Sequence, residues 1–243
     1  HDYFTERSHS YRHYFDSETG FIRGKDTKGD FQTPFSPIAA AHRANVYCEG
    51  NAWQYTWLAS HDMDGLVEVM GGRDNVVAKL DRLFSEPSRI DGETVDMTGL
   101  LGQYVHGNEP SHHIIYLYSQ LGEPHKAADF SRKILTEYYS TATDGICGNE
   151  DMGQMSAWYL LSSMGLYQVN PFDGKYWFGS PLFDAVTINL PSGKTFTVRA
   201  VGNSSYNRYI EKAFLNGKPY EKNHIDYSDI IRGGELVFYM TNV

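Results

Sequence analysis

Cysteine is nearly missing from this chain of 243 residues, which holds only Cys48 and Cys147. Two thiols exclude a disulfide-stapled scaffold and a cysteine-built zinc site. Each stands beside a Gly-Asn pair, so the two are candidate neighbours in space, and whether they bridge stays open. Long hydrophobic runs are missing too: nothing approaches the roughly 18–20 apolar residues of a membrane helix. Basic charge is short, with 21 Lys and Arg against 30 Asp and Glu and a formal net charge of −9. That balance argues against nucleic acid and anionic membranes as partners, since both call for basic patches. Strict repetition is also absent. The Gly-Asn pair occurs with its glycine at positions 50, 107 and 148, spacings too uneven for stacked repeats.

What is present is enough apolar material for a real core, 41% of the residues, in one or two domains of about 150 residues each. The first residues, DYFTERSHSYRHYFD, place apolar side chains at 3, 4, 11, 14 and 15, the pattern of an amphipathic helix with no domain in front of it. The last, LVFYMTNV, stop on a strand-like run, and the chain reads as a piece of a longer protein. Residues 16–47, rich in Gly, Pro, Asp and Lys, read as a long loop. Helical periodicity follows over about 50–60, 62–70, 74–85, 109–121, 124–140 and 150–165, with Gly71-Gly72 as a stop and Pro110 near a first turn. After about residue 175 the pattern alternates. TINL-PSGK-TFTVRAV reads as a β-hairpin, LNGKPY carries an Asn-Gly turn and ELVFYM is a further strand. The expected class is mainly α: a helical region over 1–175 and a small β module over 176–243.

The three Gly-Asn steps each lead into a helix. Asn is a preferred N-cap, Gly lets the chain turn, and acids after the cap suit the helix dipole. Capping alone accounts for Asn51, Asn108 and Asn149 taken singly. It does not require Glu49, Glu109, Glu150 and Asp151 to flank the steps, nor His106, His112 and His113 to surround the second. Hydrolysis of an acetal needs two carboxylates, one to protonate the leaving oxygen and one to activate water or attack. A hard divalent cation needs amide, carboxylate and carbonyl oxygens. Both demands point to the same cluster, and Glu49, Asn108 and Asp151 are expected at one end of the helical region. Trp53, within a turn of the first step, is a candidate sugar platform. Trp158 reads as core.

YCEGNAWQYTWLASHDMDGLVEVMGG, HGNEPSHHIIYLY and GNEDMGQMSAWYLLSSMGLYQVNP closely resemble the glycoside hydrolase family 92 α-mannosidases, and the resemblance runs through essentially the whole chain. It implies the C-terminal part of a longer enzyme, holding about half of an (α/α)6 barrel plus terminal strands. The partners are then an N-terminal β-sandwich, the remaining barrel helices and a mannose-containing glycan. It implies a secreted, periplasmic or cell-surface enzyme, dependent on Ca2+, that releases mannose from α-1,2-linked and related α-mannosides with inversion. Carried across, Glu49 matches the general acid and Asp151 the general base. Asn149 stands where relatives often have Asp, which removes one candidate base. Asn108, Glu109 and Asn149 match the calcium-holding region, and Trp53, Glu109, His112 and His113 the sugar-binding one. An inverting enzyme keeps its carboxyls roughly 6.5–9.5 Å apart so that a water fits between. Two alternatives stay open: another sugar specificity on the same helical fold, and a glycan-binding or inactive fragment.

Overall fold

The structure, a computed structural model, describes residues 1–42 and 46–243; positions 43–45 of the expected loop lie outside the described residues. The chain packs as two units: His1–His112 with Cys147–Asn149, and His113–Ile146 with Glu150–Val243. The expected change of character near residue 175 falls inside the second unit.

The first unit opens with α1 (Asp2–Ser8), none of whose residues is buried, and a short 3-10 turn at Ser10–His13. The helix expected over residues 2–15 runs only to Ser8, Phe15 belongs to a strand, and Tyr3 and Phe4 stay exposed. Strands β1 (Phe15–Asp16) and β2 (Phe21–Ile22) make a small antiparallel hairpin, tied by the buried Arg23–Asp16 ion pair at 2.6 Å. Then come α2 (Ala52–Tyr55), α3 (Met63–Val69) and α4 (Arg73–Ser85). In α4, Val76, Val77, Leu80, Leu83 and Phe84 recur at three- and four-residue intervals and are buried, so one apolar stripe explains why this segment is helical. Gly72, at φ 120, starts the helix in a conformation that favours glycine. Strands β3 (Leu100–Leu101) and β4 (Tyr104–Val105) form a second small hairpin, followed by a 3-10 turn at Glu109–Ser111.

The second unit begins with α5 (Ile114–Gln120), α6 (Pro124–Glu137) and α7 (Gln154–Ser163). Pro124 sits in the first turn of α6, where a missing N–H costs nothing. Trp158 of α7 is fully buried, as its core reading requires. Strands β5 (Leu166–Tyr167), β6 (Lys175–Phe178), β7 (Ala185–Asn189), β8 (Thr195–Val201), β9 (Tyr209–Leu215), β10 (Lys218–Tyr220) and β11 (His224–Asp226) follow. The chain ends with α8 (Tyr227–Arg232) and β12 (Gly234–Thr241). One sheet runs β10-β9-β12-β8-β7 and another β11-β6-β5. The β7–β8 hairpin forms where the alternation placed it, and Asn216-Gly217, at φ 50 and 77, turns β9 into β10. Alternation buries Phe196, Val198 and Ala200 of β8 against Leu236, Phe238 and Met240 of β12, and these two strands pair in parallel.

Helix holds 31% of the chain and strand 22%. The class is therefore mixed helix and sheet, which corrects the expectation of a mainly α chain. The physical reason is local: the helices come where periodicity placed them but are short, and small hairpins occupy the start of the stretch read as loop and residues 100–105, which had no reading. Among the described residues no helix is long and apolar enough to cross a membrane.

Candidate active site

The first Gly-Asn step is held from three sides. Asn51 Oδ1 accepts from Trp53 N at 2.9 Å, and Gln54 Oε1 accepts from Asn51 N at 2.7 Å, a reciprocal capping box for α2. Asn51 Nδ2 donates to Gln103 Oε1 at 3.0 Å, and Gln54 Nε2 donates to the Gln103 carbonyl at 2.5 Å. Gln103 Nε2 in turn donates to the carbonyls of Pro87 and Arg89. All three amides are buried. A buried amide network with its groups paired is rigid, because any rearrangement would strand a polar atom away from water. Neither Gln54 nor Gln103 was legible as a positioning residue, since lone amides carry no periodic signal.

Glu49 stands at the mouth of this network with φ 53. A side chain in that left-handed region is disfavoured, and such strain concentrates at functional sites. Tyr55 Oη holds the preceding residue, accepting from Cys48 N at 2.9 Å and donating to Cys48 O at 2.8 Å. Asn108 Nδ2 donates to the Glu49 carbonyl at 2.9 Å. Although Asn108 begins the short 3-10 turn, its side chain makes no cap hydrogen bond. Capping therefore explains Asn51 but not Asn108. Its amide nitrogen is committed to Glu49, which leaves its Oδ1 turned the other way. Glu109 follows it, exposed.

The second and third steps meet at their glycines. A Cβ at Gly148 would lie 2.6 Å from Gly107 Cα, and one at Gly107 would lie 3.0 Å from Thr98 O. Only glycine allows these backbones to touch. Asn149, next to Gly148, is exposed. A Cβ at Gly99 would meet Cys147 Sγ at 2.5 Å. Cys147 and Cys48 are both free thiols.

Trp53 and His112, expected at the substrate, are placed in the core of the first unit. Trp53 is 2% exposed, edge-on to Phe21 at 4.8 Å, with Lys79 and Arg82 over its ring. His112 is 2% exposed and its Nε2 donates to the His106 carbonyl at 2.8 Å. His106 is buried beside it and joined to Tyr104 Oη at 2.8 Å, and burial with the neighbouring His112 holds its pKa well below the usual range. These two rings brace the HGNEP segment from inside.

In the second unit, Glu150 reaches the first turn of α7, whose N-cap is Gly153: its carboxylate accepts from Ser156 N at 3.1 Å and Ser156 Oγ at 2.9 Å. Asp151 is exposed at φ 45, followed by Met152 at φ 56 and Gly153 at φ 94, three left-handed residues in a row. Among the described residues no hydrogen bond engages its carboxylate. His113 is half-buried at the start of α5. The two carboxylates singled out from sequence thus both ride on strained backbone. Among the described residues only Met152 and Asn216 share that conformation without being glycine.

Residues 1–242 match the catalytic domain of glycosyl hydrolase family 92. A fungal protein from Arthroderma benhamiae, described as an uncharacterized secreted glycosidase, is 33% identical over 97% of this chain. A family 92 α-mannosidase from Bacteroides thetaiotaomicron, solved with mannoimidazole, is 38% identical over 100% of the chain with a TM-score of 0.94. A family 92 inverting mannosidase from the same species is 37% identical over 100%, with a TM-score of 0.87. The chain spans only 32%, 32% and 34% of these three proteins, about a third of each. With that match along almost its whole length, the chain belongs to glycosyl hydrolase family 92 and carries part of the family's catalytic domain.

Proposed function

We propose that the protein is an exo-acting α-mannosidase that uses Ca2+ and inverts the anomeric centre, with Glu49 as general acid and Asp151 as general base. The observation that carries this reading is the tie from Asn108 Nδ2 to the carbonyl of a strained Glu49, since it gives Asn108 a role that capping does not. The two bacterial relatives, an α-mannosidase and an inverting mannosidase, support mannose as the sugar and, through the second, inversion. Export, as in the fungal relative's description, fits extracellular mannans and N-glycans as substrates. An (α/α)6 barrel completed by further chain is the architecture this reading needs.

The donors present fit calcium. Asn108 Oδ1, Glu109 and Asn149 are all hard oxygen donors, and Asn108 and Asn149 adjoin two glycines whose backbones touch. When bound there, calcium would polarise sugar hydroxyls and favour a distorted ring. The chain's own groups do the rest. Glu49 delivers its proton to the leaving oxygen, its backbone fixed by Asn108 and Tyr55 so that the carboxyl meets one atom and not a range of them. Asp151, with no competing hydrogen bond among the described residues, accepts the proton of the attacking water. Glu109 and His113 are the side chains of this set left to meet sugar hydroxyls.

The test uses the full-length gene product against linked mannobioses, with and without chelator. Release of mannose of inverted configuration, lost in excess chelator and restored by Ca2+, is the expected result. Turnover unchanged by thorough chelation removes calcium from the reading. Retained configuration removes the general-base role of Asp151.

A further inference from the structure

Beside Glu49 lie two side chains that the reaction above does not use, His42 and Asp96. A His42 ring nitrogen, a Glu49 carboxylate oxygen and an Asp96 carboxylate oxygen all lie within 4.8 Å of one another, and His42 Nδ1 is 2.8 Å from Asp96 Oδ2. All three side chains are half-buried, so a ligand can reach them from solvent. Two carboxylates this close repel when ionised. Among the described residues neither has a lysine or arginine ion-pair partner, and the basic group paired with Asp96 is an imidazole.

We propose that His42, Glu49 and Asp96 form a site for a borderline divalent cation of the Zn2+ class, and that its occupation switches the enzyme off. The nitrogen donor decides the class: Ca2+ takes oxygen, whereas one imidazole with two carboxylates is a three-ligand zinc set with a position left for water. Zinc bonds of about 2.0–2.2 Å in a tetrahedron place ligand atoms on the order of 3.4 Å apart. His42 and Asp96 need only separate slightly, and Glu49 close, for that spacing. On binding, a neutral His42 ring carries its proton on the nitrogen turned away from the metal, Glu49 gives its acid proton to solvent, and the imidazole and both carboxylates bind as bases. No other bond changes. A Glu49 oxygen held by the metal can no longer carry the proton destined for the leaving group. This inhibition rests on the general-acid role proposed above, but the binding does not.

The experiment titrates Zn2+, and Co2+ as its spectroscopic substitute, into the full-length protein with Ca2+ kept in excess throughout. Micromolar Zn2+ is expected to bind and to inhibit mannoside hydrolysis reversibly, and Co2+ to give the absorption of a low-coordinate site. His42→Ala and Asp96→Asn should each weaken binding by at least about tenfold and shift the inhibition by the same factor. His42→Ala should keep its activity without Zn2+, and circular dichroism shows whether each variant is folded. Equal Zn2+ sensitivity in wild type and His42→Ala places the metal elsewhere and overturns the inference, as does the absence of any binding. If no mannoside is hydrolysed at all, the proposed activity fails, while the Co2+ titration still decides the site.

Discussion

The side-chain amide of Asn108 donates to the main-chain carbonyl of Glu49 across 2.9 Å, so the second Gly-Asn step holds the backbone of the first. The carbonyl belongs to a residue at φ 53, a conformation that costs on the order of 1–3 kcal/mol and persists only when its surroundings over-determine it. Asn108 and the Asn51–Gln54–Gln103 network supply that determination from two directions.

Asn108→Asp separates positioning from metal binding. Aspartate is a good calcium donor, yet it presents only acceptors to the Glu49 carbonyl. Both Asn108→Asp and Asn108→Ala should lose about 1–3 kcal/mol of stability through the unpaired carbonyl. Both should lose activity, the Asp variant even at saturating Ca2+. Urea denaturation and a Ca2+ titration of activity check this, and full activity in the Asp variant would falsify the positioning role.

The glycine contact yields a prediction about folding alone. Gly148 has no positive φ, so the cost of Gly148→Ala is the collision with Gly107. It should destabilise by about 1–3 kcal/mol, as overpacking does. Gly193, at φ 80 with nothing within 4 Å, provides the contrast: Gly193→Ala should cost only the left-handed penalty of about 1–2 kcal/mol and leave activity intact. Thermal unfolding with an activity assay distinguishes the two, and an active Gly148→Ala of wild-type stability would show that the glycine backbones need not touch.

Much of this architecture was legible in the sequence for a stated reason, and the rest was illegible for another. Val76, Leu80 and Leu83 announce α4 because a helix repeats its buried face every 3.6 residues. Asn216-Gly217 announces the β9–β10 turn because few other pairs adopt two positive φ values. Parallel pairing of β8 with β12 had no such local signature, since register between distant strands is a tertiary choice. The same Gly-Asn dipeptide serves as a cap at Asn51 and as a cross-brace at Asn108. Propensity cannot tell these apart; only the partner can. Trp53 shows the same limit, for an aromatic near a site packs in the core or lines the pocket according to contacts that its neighbours in sequence do not reveal.

Lys79 makes stability depend on pH. Its Nζ lies 3.3 Å from the Phe21 ring centroid and 4.9 Å from that of Trp53. Burial, then the neighbouring Arg82, pulls its pKa down to about 7. The ring faces favour the ammonium by about 1–2 kcal/mol, less than the desolvation that opposes it. The folded state releases the proton near pH 7 and the unfolded chain only near about 10.4. Between those values the unfolded state binds more protons, so the contribution to stability rises with pH through this window and the penalty is complete below it. Because the side chain still reaches solvent, the full shift is not converted to energy. Lys79→Met should be more stable than wild type by about 1–3 kcal/mol near pH 6, an advantage that shrinks toward about pH 10. Denaturation curves of both proteins across that range decide it, and a constant difference would mean that the amine stays charged throughout.

The two thiols should react in sequence. Cys48 is exposed, whereas burial pushes the Cys147 thiol up to about 11. The thiolate is the nucleophile, so alkylation of the folded protein should label Cys48 first and Cys147 only on unfolding. Peptide mass spectrometry after brief iodoacetamide treatment reads this directly, and equal labelling would contradict the packing of Cys147 against Gly99.

Which carboxylate does what is settled by the leaving group. Glu49→Gln keeps the size and hydrogen-bonding reach of the side chain but removes the proton it must deliver. An aryl mannoside whose phenolate leaves readily needs little protonation, so this variant should be impaired far less on it than on a mannobiose. Asp151→Asn removes the base that takes a proton from water, and water must attack whichever group departs. Its loss should be similar on both substrates, about 10²- to 10⁴-fold as for a general acid or base. Added azide sharpens the contrast, because a small anion that needs no deprotonation could restore turnover to Asp151→Asn but not supply the missing proton in Glu49→Gln. Kinetics of both variants on both substrates give the answer. Rescue by the good leaving group at Asp151→Asn, with none at Glu49→Gln, would exchange the two roles.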